Sequence, residues 1–267
     1  NSLEKISKQI GDGNLLSQLT KKTVVYDFRQ NDIKNGGEGA PLVPVFHRLV
    51  TKQKKIELPV CILNIGGITN VTVINEYDKN SFLSKDLGPG NCLLDEWIRK
   101  NTENKFDYKG EIAIKGKIDE SILNQALDNF DNRPNQNTLS FDTKDFNLGF
   151  VRGLNLEDGA ATLTDFTSRI IAAELLSFLS GARDKLWKVL VCGGGRKNIF
   201  LIERIRNRVP KNLIIESIDD YDIDGDFVEA QAFAYLAIRT YLGLPISFPK
   251  TTGCKKPVTG GVLVKNF

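Results

Sequence analysis

Three glycine-rich segments, two of them following runs of β-forming residues, constrain this 267-residue chain more than any other feature. In the first, Pro59 to Asn64 and Thr69 to Ile74 are joined through Ile65-Gly66-Gly67-Ile68. Two β-rich runs around a Gly-Gly pair predict an antiparallel hairpin with a tight turn, because glycine adopts positive φ without steric cost. The second is Lys85-Asp86-Leu87-Gly88-Pro89-Gly90-Asn91, followed by Leu93, Leu94, Trp97 and Ile98 at helical spacing, with Asn91 placed to cap the helix. The third is strand Val189 to Cys192, then Gly193-Gly194-Gly195, a helix from Asn198 to Arg208 and a strand at Leu213 to Ile215. A strand-turn-helix-strand unit beside a hairpin places the chain in the α/β class with a mixed sheet.

Around these segments, Thr23 to Phe28 reads as a buried strand that opens into the polar, glycine-rich loop RQNDIKNGGEGAPLVP. Helices are expected over Ile118 to Phe130, Leu156 to Ser180 and Val228 to Tyr241, the last carrying Ala230, Ala232, Ala234 and Ala237 for close packing on a neighbour. Between the first two of these, NRPNQNTLSFDTKDFN has no periodicity and reads as a surface loop or a lid.

Composition narrows the function classes. With 41% hydrophobic and 26% charged residues the chain is globular rather than disordered. Its net charge of +3 is spread among acidic residues, and the densest basic run, Lys52-Gln53-Lys54-Lys55, is followed by Glu57, which favours a solvated loop over a nucleic-acid patch. No window approaches the ~18 apolar residues of a membrane span, and the first residues are too polar for a signal peptide, so a cytoplasmic protein without membrane contact is expected. Cys61, Cys92, Cys192 and Cys254 lie far apart with no CxxC pairing and are expected as buried, inert thiols. A single histidine, His47, cannot build a multi-histidine metal site. The chain begins at Asn1 and contains no methionine, so an upstream segment is expected to belong to the natural product.

Each candidate motif has a plain structural reading beside the chemical one. Gly66 and Gly67 can turn backbone N–H groups toward a phosphate, but such a turn is also simply a hairpin. Gly193, Gly194 and Gly195, with Asn198 at the helix start, suit a flat purine nucleoside lying on backbone, or a flexible connector; the pattern is not GxGxxG. Asp86 beside Gly-Pro-Gly is a general-base candidate, or it caps its own turn. Asp27, Arg29, Asp32 and Glu38 cluster among glycines and suit sugar hydroxyls and a carboxylate, or form a solvated loop.

The order of these parts, phosphate-type hairpin, rigid aspartate, glycine strand-turn-helix and alanine-rich closing helix, is that of the sugar kinase/heat-shock ATPase/actin superfamily. The strings DFRQNDIKNGGEGAPLVPVFH (27 to 47), NIGGITNVT (64 to 72), DLGPGNCLLDEW (86 to 97), EDGAATLTDFT (157 to 167), CGGGRKN (192 to 198) and VEAQAFAYLAIRTYLGLPISFPKTTG (228 to 253) go further. They resemble the signature segments of anhydro-N-acetylmuramic acid kinases, from about Gln9 to Gly261.

That resemblance implies a ribonuclease-H-like, actin-like ATPase fold of two lobes with mixed sheets. The first lobe and sugar loop would cover residues 1–57, a second ATPase lobe 58–227, and a closing helix and tail 228–267. It implies an ATP- and magnesium-dependent kinase that opens the 1,6-anhydro ring while phosphorylating O6, in peptidoglycan recycling. Asp86 would activate water, Asp27, Arg29, Asp32 and Glu38 would line the sugar pocket, Gly66 and Gly67 would face phosphates, and Gly193 to Gly195 with Asn198 would hold adenosine. A small-molecule sugar is the expected partner, and a homodimer is compatible with the pattern. Members carry a phosphate hairpin and a histidine-glycine-glutamine segment upstream of the DFR run, absent here, so the first lobe is expected to be incomplete. Leu87 stands where threonine is usual. Another sugar or acyl kinase of the superfamily, or an inactive remnant, are the competing readings.

Overall fold

The computed structural model describes residues 6–77, 82–133, 140–179 and 185–267. In chain order the elements are α1 (Gly13–Thr20), β1 (Val24–Tyr26), α2 (Gln30–Lys34), α3 (Pro44–Gln53), β2 (Val60–Ile65), β3 (Ile68–Ile74) and β4 (Phe82–Pro89). They continue with α4 (Cys92–Asn101), α5 (Glu120–Asp131), α6 (Leu156–Leu179), β5 (Trp187–Cys192), α7 (Ile199–Arg206) and β6 (Leu213–Ser217). The last are α8 (Val228–Tyr241), α9 (Pro249–Thr252) and β7 (Val262–Val264). Ser180, the expected end of α6, lies outside the described residues, as do 134–139 of the expected loop.

Five strands form one mixed sheet in the order β4-β3-β2-β5-β6. A two-residue connection forces β2 and β3 antiparallel, whereas β2 and β5 pair in parallel from Val60↔Lys188 to Asn64↔Cys192, and β5 with β6 from Trp187↔Leu213 to Val191↔Ser217. A consecutive three-strand run followed by parallel strands reached through helices is the ribonuclease-H-like arrangement expected from the sequence. Central parallel strands are covered on both faces. The almost uninterrupted burial of Val60 to Leu63 and of Val189 to Cys192 follows from that.

The residues group into two compact units, one of Asn1–Leu58, Thr72–Lys85 and Phe227–Phe267, the other of Pro59–Val71 and Asp86–Asp226. In the second unit, Leu93, Trp97, Ile98, Leu123, Phe130, Val151, Leu163, Phe166 and Ile170 share one core. Trp97 Nε1 donates to Leu156 O at 2.9 Å, and Gly159 lets the indole approach the α6 backbone. Asp165, fully buried on α6, accepts from Arg169, Arg204 and Arg208 and so ties α6 to α7 and to the residues that follow it. A buried carboxylate is tolerated only when its lone pairs are taken up in this way.

The first unit is built differently from expectation. The strand read over Thr23 to Phe28 is only β1, three half-buried residues paired with β7 from Val24↔Val264 to Tyr26↔Val262. Asp27 ends it by adopting left-handed φ of 54°. Of the four alanines of α8, Ala232 alone is buried, and Ala230 and Ala234 are exposed. The Lys52 to Lys55 run is the exposed end of α3. Cys61, Cys192 and Cys254 are buried free thiols and Cys92 is half-buried. His47 is buried with Nδ1 2.8 Å from Thr72 Oγ1.

Asn91 does not cap α4 through its side chain. Its Nδ2 donates instead to Ile65 O at 3.1 Å, because the Gly90–Cys92 turn folds back over the hairpin. In the loop after α5, Asp142 to Asp145 and Asn147 are exposed, whereas Phe141 and Phe146 are half-buried. Phe141 and Phe146 pack with Phe130, and Asp142 and Asp145 cap a single helical turn at Thr143–Asp145.

Candidate functional site

At the carboxyl ends of β2 and β5, three glycine turns converge. Gly90 N–H donates to Gly67 O at 2.9 Å, Asn91 N–H to Gly66 O at 2.8 Å and Cys92 N–H to Gly67 O at 3.2 Å, so the second turn is clamped onto the first. Gly66 N–H points back to Ile68 O at 3.3 Å. A side chain at Gly90 would meet Gly66 O at 2.3 Å, so only glycine permits this approach. Thr69 Oγ1, fully buried beside Gly90, has no hydrogen-bond partner among the described residues.

The Gly193–Gly195 turn folds onto the end of β2. A Cβ at Gly193 would lie 2.4 Å from Asn64 Oδ1, and one at Gly195 2.2 Å from Ile65 Cγ2. Packing therefore accounts for both of those glycines. It does not account for Gly194, whose nearest protein neighbour would be Asn91 Nδ2 at 3.8 Å, nor for Gly67, where Thr143 Cγ2 would be 3.6 Å away. Both are exposed, and backbone without side chains at a sheet's carboxyl edge is where a phosphate or a nucleoside can lie closest.

Arg196 braces this turn. It donates to Gly193 O at 3.0 Å, to Asp219 at 2.6 Å and to Asp226 at 2.8 Å. Burial works against its charge, but the two carboxylates more than offset this and hold the guanidinium above its usual range. The Arg196 hydrogen bond in turn holds Asp219 well below the usual carboxylate range. Asn198 Oδ1 caps α7 by accepting from Leu201 N–H at 3.0 Å, and the side chain is buried. That hydrogen bond starts the helix that follows the turn.

Asp86 lies in β4, 8% exposed, and not in the turn itself. Its Oδ2 accepts the Phe141 N–H at 2.8 Å, a partner from the loop after α5. Two residues beyond Phe141, the Thr143 methyl lies over Gly67, so residues 141–143 touch both the aspartate and the first glycine turn. On α4, burial lifts the Asp95 carboxyl to about 6, which Arg99 only partly counters, and lifts the Cys92 thiol to about 11. Among the described residues no three His, Cys, Asp or Glu side chains gather as metal ligands.

The remaining candidates meet in the other unit. The left-handed Asp27 turns the chain so that Phe28 is buried, 5.5 Å from the Phe233 ring centroid, while Asp27 and Arg29 stay half-exposed. Arg29 Nη1 donates to Gly39 O at 2.6 Å, and Glu38 N–H donates to Thr252 O at 2.8 Å, leaving Glu38 exposed. Asp32 differs from expectation. It is fully buried, its carboxylate accepting Gly39 N–H at 2.8 Å and Thr252 Oγ1 at 2.7 Å. A side chain with no exposed surface holds the loop rather than touching a ligand.

A glycine-turn cluster at the carboxyl edge of a mixed sheet, with a buried aspartate beside it, agrees with the comparison of the whole sequence. The model of the family described as anhydro-N-acetylmuramic acid kinase matches residues 1–266. The chain belongs to that family. An anhydro-N-acetylmuramic acid kinase of Pelagibacter ubique is 59% identical over 267 residues, covering 100% of this chain and 71% of the relative. Those of Zymomonas mobilis and Methylobacterium nodulans are 40% and 42% identical, covering 95% and 97% of this chain and 67% of each relative. Family membership makes the chain a kinase of the ATP-using type.

Within that family frame, sequence reading missed several members of the site. Phe141 contributes a backbone donor, which no residue pattern reveals. Thr143 and Asn64 sit there through tertiary contact, and Arg196 was visible only as part of a string. The signal available for this loop was Phe141 and Phe146, two rings in a largely polar stretch.

Proposed function

We propose that the protein phosphorylates 1,6-anhydro-N-acetylmuramic acid at O6 with hydrolytic opening of the anhydro ring, yielding N-acetylmuramic acid 6-phosphate in cell-wall recycling. The observation that carries this reading is the family match across residues 1–266, with 59% identity to a relative of that name. In the proposed reaction Asp86 takes a proton from water, the water oxygen bonds to C1, and the C1–O6 bond breaks. The released O6 bonds to the γ-phosphorus as the bond to the ADP oxygen breaks. The product gains one water and one phosphoryl group.

ATP would supply the phosphoryl group, and magnesium bound to it would neutralise its charge. The open backbone faces of Gly67 and Gly194 fit phosphate and nucleoside, and Gly66, Gly193 and Gly195 shape those turns. Magnesium would be held mainly by the nucleotide's phosphates and by water. Asp27, Arg29 and Glu38 would bind the sugar, with Asp32 and Asn198 holding the loops that present these contacts. No helix among the described residues is long and apolar enough to cross a membrane, and we place the enzyme in the cytoplasm with its small-molecule substrates, as a homodimer.

The test is a mass-spectrometric product assay with Mg-ATP and the anhydro sugar, beside an Asp86→Asn control. Product heavier by one phosphoryl group plus one water, lost in the control, supports the reading. Sugar left unchanged by a folded, ATP-binding protein would sink the substrate assignment.

A further inference from the structure

Asp86 Oδ2 accepts a backbone amide, so what fixes that amide bears on how the carboxylate is set. Phe141, whose N–H donates to Asp86 Oδ2, belongs to a set of rings in the second unit. Its ring lies 6.4 Å from Phe130 and 5.6 Å from Phe146, and Phe130 meets Phe166 edge-on at 6.0 Å and 87°. Phe130 in turn rests on the strand that carries Asp86, since a Cβ at Gly88 would approach its Cζ to 3.0 Å. Arg133 joins the set. Its guanidinium carbon lies 3.7 Å from the Phe130 centroid and 4.8 Å from that of Phe141, and Nη1 donates to Phe130 O at 2.5 Å.

Burial lowers the Arg133 pKa, while the charges of Asp131 and Glu174 act to raise it. The Arg133 Nε is buried with no hydrogen-bond partner among the described residues, which costs free energy. A guanidinium in contact with two rings ties them together with fixed spacing, which an aliphatic chain would not do.

The geometry points to Arg133 and Phe141 as positioning residues for Asp86: the guanidinium fastens the Phe141 ring to Phe130 and thereby sets the amide that orients the carboxylate. This rests on Asp86 being the base of the proposed reaction. Neither residue touches a reacting atom. Their effect is on the angle and proton affinity of the carboxylate, because an N–H donor favours its charged form.

The experiment compares Arg133→Ala, Arg133→Lys, Phe141→Leu and Asp86→Asn with the wild type. Loosening the amide should lower kcat by about tenfold to a hundredfold while the KM for the sugar changes little, as a displaced catalytic group does. The acidic limb of the pH–rate profile should move to higher pH, since a carboxylate that loses a donor holds its proton more tightly. Arg133→Lys, which keeps a cation over the rings, should recover part of the loss. An unchanged kcat and pH profile in both Arg133→Ala and Phe141→Leu would overturn the positioning role while leaving Asp86 as the base, provided Asp86→Asn is silent. If even the wild type leaves the sugar unchanged, amide hydrogen exchange decides independently. Phe141 N–H protected in the wild type and exposed in Arg133→Ala upholds the clamp, and equal protection in the two overturns it.

Discussion

The buried carboxylate of Asp32 accepts the hydroxyl of Thr252 at 2.7 Å, joining residues 220 positions apart. The same carboxylate takes the Gly39 N–H, and Thr252 O takes that of Glu38, so one contact pair sets the shape of the loop carrying Arg29 and Glu38. Leaving either partner unmet inside the protein costs about 1–3 kcal/mol. Thr252→Val should therefore lower unfolding stability by about that amount. It should also raise the KM for the sugar more than it lowers kcat. Urea denaturation and steady-state kinetics on the same preparation check both.

The glycine turn after β5 separates packing from binding. Gly195→Ala drives a methyl group into Ile65 and should cost about 1–3 kcal/mol, as overpacking does. Gly194→Ala meets nothing closer than ordinary contact and should leave stability within about 0.5 kcal/mol, as surface changes do. It should nevertheless weaken nucleotide binding. Thermal melting with and without ATP distinguishes the two, and a Gly194→Ala protein that binds ATP like the wild type would remove Gly194 from the site.

Asp27 holds a left-handed backbone that costs a non-glycine residue about 1 kcal/mol or more. Asp27→Gly relieves that strain while removing the carboxylate. Stability should change little, the relief being offset by the greater freedom of glycine in the unfolded chain, and the KM for the sugar should rise about tenfold to a hundredfold, the loss of one charge-assisted hydrogen bond of ~1.5–3 kcal/mol. An unaltered KM would assign Asp27 to the turn alone.

Burial lowers the His47 pKa from 6.5 to about 3, so the unfolded chain takes up a proton that the folded one refuses. The sign follows: His47 favours folding fully above pH 6.5, and that contribution falls away as the pH drops toward 3, by about 1.4 kcal/mol per pH unit at most. His47→Gln should flatten the loss of stability between pH 6 and pH 4 in urea titrations. Equal slopes in the two proteins would show that other groups govern acid unfolding.

What could be read in the sequence was local. The Gly66-Gly67 hairpin, the strand before Gly193, the helix from Val228 and the family strings are each written within a few neighbouring residues, because tight turns, alternation and helical spacing are short-range constraints. Tertiary structure alone decided that Gly193 and Gly195 are glycines for packing while Gly67 and Gly194 remain open, that Asn91 reaches Ile65 O instead of capping α4, and that Asp32 is buried. It also decided that Asp86 Oδ2 accepts the N–H of Phe141, 55 residues away. A backbone amide is the same in every residue but proline. Which amide meets a given carboxylate is therefore set by how rings and strands pack, and no residue pattern along the chain records it.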